Sequence, residues 1–294
     1  MKRAKLKENI EWTLFLLPAL LSVIAVLMIP IVAGFVYSFT DWNGLAKEIN
    51  FIGFNNYVRL FRDKQFVRIV GNTFKFSITI TVFQNIIGLL LATMVVKDFR
   101  ARNFFRVVFY LPAVLSALVV GYSWSFILDA NMGSVNKLFE LCHLNFLAQD
   151  WLGNPDLVLI VIAVVVIWQF SGYSMLIYMV GLGAIPEELY EAVDIEGASK
   201  WKRFTKITVP LLAPSFTINI VLTLISTMKS FEHVYVMSGG GPGYSSELIS
   251  IKVYKEAFAN YNMGYASAIS AILFLLISLL SFVILGYLRK KEEM

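Results

Sequence analysis

Six apolar runs, each long enough to cross a bilayer, constrain this chain more than any other feature. They cover residues 12–37, 74–96, 107–128, 157–181, 207–228 and 265–288. A helix rises 1.5 Å per residue, so about 20 apolar residues span a hydrocarbon core of about 30 Å. No water reaches the backbone there, so a crossing segment must satisfy its own hydrogen bonds. The runs therefore predict helices, and the expected fold class is an all-α polytopic membrane protein. A single transmembrane domain over residues 1–294 is expected, since no linker or second soluble region interrupts the pattern. Charged residues make up only 15% of the chain, where a soluble protein carries about a quarter.

The first run is too long for a signal-peptide core and lacks a small-residue cleavage pattern, so it reads as an uncleaved span. Pro18 and Pro30 lie within it, as membrane helices tolerate. Six spans put both termini on one side. Lys2, Arg3, Lys5 and Lys7 begin the chain, and Arg289, Lys290 and Lys291 end it. The positive-inside rule places both ends in the cytoplasm. Cytoplasmic segments then hold 15 of the 25 Lys and Arg residues. The first outer loop weakens the bias. Its residues 55–70 have apolar side chains at helical spacing with bases between, which predicts an interfacial amphipathic helix. Residues 129–156 read as a compact outer loop, and Ser238-Gly-Gly-Gly-Pro-Gly243 as a sharp turn.

Several chemistries are poorly supplied. One cysteine (Cys142) and two histidines (His143, His233) support neither a disulfide framework nor a metal cluster. No Gly-x-x-x-x-Gly-Lys-Ser/Thr occurs, so the chain is not expected to bind ATP. No carboxylate lies deep in a run, which argues against an ion-gradient-driven transporter, and no paired catalytic groups lie at membrane depth. A net charge of +5 fits topology better than nucleic-acid binding.

One polar island stands between the fourth and fifth runs. Residues 186–210 carry five acids (Glu187, Glu188, Glu191, Asp194, Glu196) and four bases (Lys200, Lys202, Arg203, Lys206). Pro186 opens a helix, and the two glutamates after it sit at the positive end of its dipole. Leu189, Ala192, Val193 and Glu196 share one face. Gly197 breaks the helix, and a second short one runs from 199 to about 206. Two helices with a glycine elbow form a compact foot over 186–206, suited to docking a soluble partner.

The spacing Glu191-Ala192-Val193, Gly197, Ile207, Val209-Pro210 resembles the loop motif of bacterial ABC importer permeases. Val193 and Val209 replace the usual alanine and leucine. Phe39-Thr-Asp-Trp-Asn43, Phe51-Ile-Gly-Phe-Asn-Asn-Tyr57, Phe104-Phe-Arg-Val-Val-Phe-Tyr-Leu-Pro112, Val234 to Gly243 and Gly264-Tyr-Ala-Ser-Ala268 narrow the resemblance to the maltose-type carbohydrate permeases. The resemblance implies a second homologous permease, two copies of a cytoplasmic ATPase that carries the ATP and Mg, and an extracellular solute-binding protein. It implies that the chain binds no cofactor, catalyses nothing, and imports a sugar. It also makes Glu191, Ala192, Val193, Asp194, Gly197 and Ala198 ATPase-coupling residues. Glycerol phosphates or other polyols are the alternative cargo, for which stray bases such as Lys229 would speak.

Polar groups inside spans usually face a cavity or a partner helix. Gln84 and Asn85 interrupt the second run, and Trp168, Gln169 and Tyr173 the fourth. Thr223, Ser226, Thr227, Lys229, Ser230 and Glu232 mark the end of the fifth. Trp168, Gln169 and Tyr173 combine ring faces and an amide suited to a sugar. The resemblance matches Thr223, Ser226, Thr227 and Ser230 to sugar-contacting positions, although that family has amides and an aromatic there. Lys229 and Glu232, three apart, can pair with each other.

Overall fold

A computed structural model describes residues 2–97 and 99–292; the side chains of residues 1–11, 14 and 291–294 lie outside that description. The bases Lys2, Arg3, Lys5, Lys7 and Lys291, on which the topology expectation rests, are among the latter. The chain is helical, and among the described residues there is no β-strand. Four helices are long and apolar enough to cross a membrane, or six if two bent pairs each count as one span.

The chain divides into two compact units. The first comprises residues 1–63 and 253–273. Helix α1 (Lys2–Val23) passes through a π-helical turn (Ile24–Met28) into α2 (Ile29–Tyr37). Pro30 has no N–H to donate to the carbonyl four residues back, and the wide turn ends two residues before it. Apolar side chains such as Phe15, Val26 and Val32 are exposed along this helix, as a lipid- or partner-facing helix requires.

After α2 the two aromatic stretches fold into one knot. Thr40 and Phe51 form an isolated antiparallel bridge. Phe39 meets Phe54 edge-on at 5.2 Å and Tyr57 at 5.4 Å. Buried Asn56 donates to the carbonyls of Ser38 and Thr40 at 2.9 and 2.8 Å. Asn50 donates to Asp41 through its side chain and its backbone N–H, which holds that carboxyl below the usual carboxylate range. The expected helix over 55–70 is in fact two: α3 (Asn55–Arg62) ends at Asp63, whose extended backbone (ψ 104°) separates it from α4 (Lys64–Val96). The last element of this unit is the start of α15 (Met263–Glu292). Gly264 donates its N–H to Trp42 O at 2.8 Å, and a Cβ on it would fall 2.1 Å from Thr40 O. Arg59 stacks over Tyr265 at 4.1 Å.

The second unit holds the remaining helices. α5 (Arg102–Val114) and α6 (Ala117–Ile127) meet at 93°. The run over 107–128 is therefore broken: Leu115 and Ser116 are extended, just after Pro112. α7 (Ser134–Leu141) lies in a compact loop gathered around buried Asn136, which bonds Ala130 O, Gln149 O and the Trp151 indole. α8 (Val158–Gly183) is the central helix, packed on α4, α5 and α12 (Ala213–Met228). α9 (Glu187–Ile195), α10 (Lys200–Arg203), a π turn (Phe204–Thr208) and α11 (Val209–Leu211) link α8 to α12. A 66° bend separates α12 from the helix before it, at Leu212, between Pro210 and Pro214. α13 (Glu232–Met237) packs on α6, and α14 (Ile249–Tyr254) follows the glycine turn.

Glycines decide how closely α8 is approached. A Cβ on Gly172 would lie 2.0 Å from Phe109 O of α5, and one on Gly88 of α4 2.5 Å from Ser174 Cβ. Small residues at such crossings let membrane helices gain dispersion contact, since lipid offers no hydrophobic drive between them. The core here is Phe76, Ile80, Ile162 and Val166 at one level, with Ala92, Met175 and Tyr178 at another.

Candidate functional site

The polar island folds as two short helices about a glycine, with Pro186 as the residue preceding α9 rather than its first turn. Gly197 has φ +70°. Its N–H donates to Asp194 O, and Ala198 N–H reaches Val193 O; this is the Schellman ending, which glycine accommodates without steric cost. Ser199 then caps α10 through its hydroxyl, which accepts from Lys202 N at 3.3 Å. One carboxylate holds the corner closed. Arg203 Nη1 donates to both oxygens of Asp194 at 2.9 and 3.1 Å. The same guanidinium lies 5.2 Å from the Tyr190 ring, and Tyr190 Oη sits 3.2 Å from Thr208 Oγ1.

This geometry sorts the residues expected to face a partner. Asp194 and Arg203 are spent on each other. Val193 and Ala198 are half-buried, whereas Glu191, Ala192 and Gly197 are exposed. A Cβ on Gly197 would meet nothing within 4 Å, so no part of this chain needs the close approach it permits. Ile195 is 88% exposed and Trp201 73%, the two most exposed large apolar side chains of the loop.

Near the end of α12 a cavity of about 510 Å³ opens between α4, α8, α12 and α13. Tyr173, Thr223, Ser226, Thr227, Lys229 and Ser230 line it, as expected for a substrate path, and so do Gln84, Phe170, Glu232 and His233. Two expected residues do not. Trp168 stands edge-on to Trp124 at 5.5 Å outside the cavity wall. Gln169 is fully buried. Its Nε2 donates to Leu115 O at 2.9 Å, where the α5–α6 bend leaves a carbonyl free of the helical ladder, and its Oε1 lies 2.6 Å from His233 Nε2. With the amide so oriented, His233 Nε2–H donates. Ser226 and Thr227 donate their hydroxyls to Thr223 O at 2.9 and 2.8 Å. Those oxygens retain acceptor capacity toward the cavity but no free proton. Lys229 and Glu232 are both exposed and form no ion pair with each other.

Gln84 and Asn85 belong to a buried network across three helices. Gln84 Nε2 donates to Ser174 Oγ at 2.8 Å, and Ser174 to Asn219 Oδ1 at 3.1 Å. Tyr178 Oη donates to Asn85 Oδ1 at 2.6 Å. Outside the spans, Glu247 and Glu256 are buried carboxylates that the apolar-run pattern did not single out. Among the described residues no group of His, Cys, Asp and Glu could hold a metal.

Residues 84–293 match the family described as the binding-protein-dependent transport system inner membrane component. The chain belongs to that family. It is 36% identical over 293 residues to the probable starch degradation products transport system permease AmyD of Thermoanaerobacterium thermosulfurigenes, covering 99% of this chain and 98% of that one. It is 31% identical over 291 residues to the multiple sugar-binding transport system permease MsmF of Streptococcus mutans, covering 99% of each. A bacterial ABC transporter that imports the acidic polysaccharide alginate shares the fold, with TM-score 0.85 at 23% identity over 98% of this chain and 99% of that one. A second structure of a bacterial alginate transporter (TM-score 0.82, 22% identity, 97% and 94% covered) carries an alginate-pentasaccharide-bound periplasmic protein.

The permease is thus a multi-pass membrane subunit of a transport system; it is not an enzyme and holds no cofactor of its own. Sequence reasoning singled out Gln84 as a polar group facing a cavity or a partner helix, and it does both; it missed the places of His233 and Phe170 in the cavity. One local signal was present for the first: Lys229, Ser230, Glu232 and His233 form a polar cluster directly after an apolar span.

Proposed function

We propose that the permease forms half of the translocation path of an ATP-driven, binding-protein-dependent sugar importer, with loop 186–206 transmitting closure of a partner ATPase. The observation that carries the cargo class is the cavity at the end of α12. Tyr173 and Phe170 supply ring faces for sugar C–H groups. Gln84, Thr223, Ser226, Thr227 and Ser230 supply polar atoms, and Lys229 and Glu232 balance one another's charge. A balanced cavity suits a neutral sugar better than a glycerol phosphate. The sugar-system names of the AmyD and MsmF relatives support the same reading.

The loop supports the motor assignment. It is braced internally by Asp194 and Arg203 and presents Glu191, Ala192, Ile195 and Trp201 outward. A brace of this kind makes the corner move as one body with α8 and α12. The complete machine would add a second homologous permease, two copies of the ATPase with its ATP and Mg, and an extracellular solute-binding protein. Six spans with both termini cytoplasmic complete the topology, the two bent pairs each counting as one crossing.

The test is to co-express the chain with its genomic neighbours, reconstitute the complex, and assay ATP hydrolysis against a sugar panel with the binding protein present. Sugar-dependent stimulation is expected. Uptake by this chain alone, with no ATPase co-purifying, overturns the proposal.

A further inference from the structure

A second cavity, of about 470 Å³, lies between α4 and α8 at the opposite end of α8 from loop 186–206. Those ends are about 39 Å apart, the length of a 26-residue helix. Arg68, Lys75 and Thr79 of α4 form one wall; Asp156, Ile160 and Ala163 lie on the other. Arg68 and Lys75 are seven residues apart, two turns along one helix face. Both are exposed, and neither makes an ion pair with Asp156. Asn72, between them, donates to Tyr244 O and Glu247 O, so its amide walls the cavity and offers it no free donor.

Depth in the membrane selects the ligand. α4 has 33 residues, about 50 Å of helix against a hydrocarbon core of about 30 Å. If its last 20 residues cross the core, Lys75 stands at the hydrocarbon boundary and Arg68 about 10 Å farther out. That is the headgroup layer. Below the two cations the wall turns apolar through Ile160 and Ala163 toward Val164, and Ile160 and Val164 are both 56% exposed. The N-terminus of α8 adds positive potential at this end. The set Arg68, Lys75 and Asp156 carries a net charge of +1 beside an acyl-accessible wall.

We propose that this cavity is a binding site for an anionic phospholipid of the phosphatidylglycerol type. Its phosphate would sit between the Arg68 fork and the Lys75 ammonium, where charge-assisted donors hold phosphate oxygens. A headgroup hydroxyl would donate to Asp156, and one acyl chain would lie along Ile160 and Val164. A single negative charge matches the net +1 of the site, which a zwitterionic lipid does not. The inference depends only on α4 and α8 spanning a bilayer and is independent of the cargo.

The test uses the assembled transporter in vesicles, with Cys142→Ser removing this chain's native thiol and a fluorophore on Val164→Cys. Quenching is titrated with acyl-brominated phosphatidylglycerol, phosphatidylethanolamine and phosphatidylcholine. Phosphatidylglycerol is expected to quench at a roughly ten- to thirtyfold lower mole fraction than the other two, as two interfacial cations supply. R68Q/K75Q should collapse that preference, whereas K64Q/K137Q, which removes the same charge elsewhere, should leave it intact. D156N, which keeps both cations, should keep or strengthen it. Excess inorganic phosphate should not reverse the quenching; reversal would make the ligand a free anion and overturn the lipid assignment. Equal curves for the three lipids, or equal loss in R68Q/K75Q and K64Q/K137Q, would overturn the site itself.

Discussion

Gln169 Oε1 and His233 Nε2 meet at 2.6 Å across 64 residues of chain. Both groups are buried, and the other end of the same amide holds Leu115 O at the α5–α6 bend. One side chain thereby ties a broken helix to the short helix that walls the cavity. Gln169→Leu strands an imidazole N–H and a carbonyl, at about 1–3 kcal/mol for each buried group left unpaired. A lowered melting temperature of the purified complex is expected, together with weaker sugar stimulation of ATPase. In the double variant Gln169→Leu/His233→Phe the losses should be less than additive; full additivity would deny the coupling.

Gly197 sits at φ +70° with open space around its Cα, so its substitution cost is conformational and not steric. Gly197→Val should cost about 1–2 kcal/mol of local loop stability, while Gly197→Asn, which tolerates the left-handed region, should cost less. Limited proteolysis of the loop and the ratio of sugar transported to ATP hydrolysed are the measurements. Equal behaviour of the two variants would show that the Schellman ending does not matter.

The Asp194–Arg203 pair is partly exposed, with side-chain exposures of 57% and 36%. Its contribution to overall stability should be below about 1 kcal/mol. Its effect on coupling should be larger, because Arg203 Nη1, shared between both Asp194 oxygens, sets the angle between α9 and the helix after Gly197. Asp194→Asn and Arg203→Lys are expected to leave membrane yield unchanged and lower transport per ATP. The exchange Asp194→Arg/Arg203→Asp should recover part of it. Wild-type coupling in both single variants would remove the brace from the mechanism.

Two glycines of α8 should respond oppositely to alanine. Gly172→Ala places Cβ 2.0 Å from Phe109 O, a backbone clash that should cost about 1–3 kcal/mol or more. Gly183→Ala meets nothing within 4 Å and should be neutral or stabilising by up to about 1 kcal/mol through helix propensity. Thermal unfolding of the two purified variants separates the cases.

Much of the fold was legible because it depends on local rules. Four of the six apolar runs became helices long and apolar enough to cross a membrane, and the other two became parts of bent pairs. Gly197 became the elbow of the polar island because only glycine takes that backbone without strain. The segment over 55–70 was misread as continuous because periodicity cannot see one extended residue, Asp63, between two helices. The bend in the run over 107–128 escaped for the same reason: Pro112 was visible, but membrane helices often absorb a proline, and only the extended Leu115 and Ser116 make it a break.

The sequence by itself determined that this chain is a helical membrane protein and that two short helices about Gly197 follow its fourth apolar run. Hydropathy, turn chemistry and motif spacing act over a few turns of chain. Only the tertiary structure decided which polar side chains face the cavity and which are consumed in holding it. Gln169 and Tyr173 lie one helical turn apart on α8, yet one is locked between Leu115 and His233 while the other lines the cavity. The two share a face of α8, so the difference is set by what stands opposite each level of that face: Leu115 and His233, both far away in sequence, meet Gln169, and no local pattern encodes that.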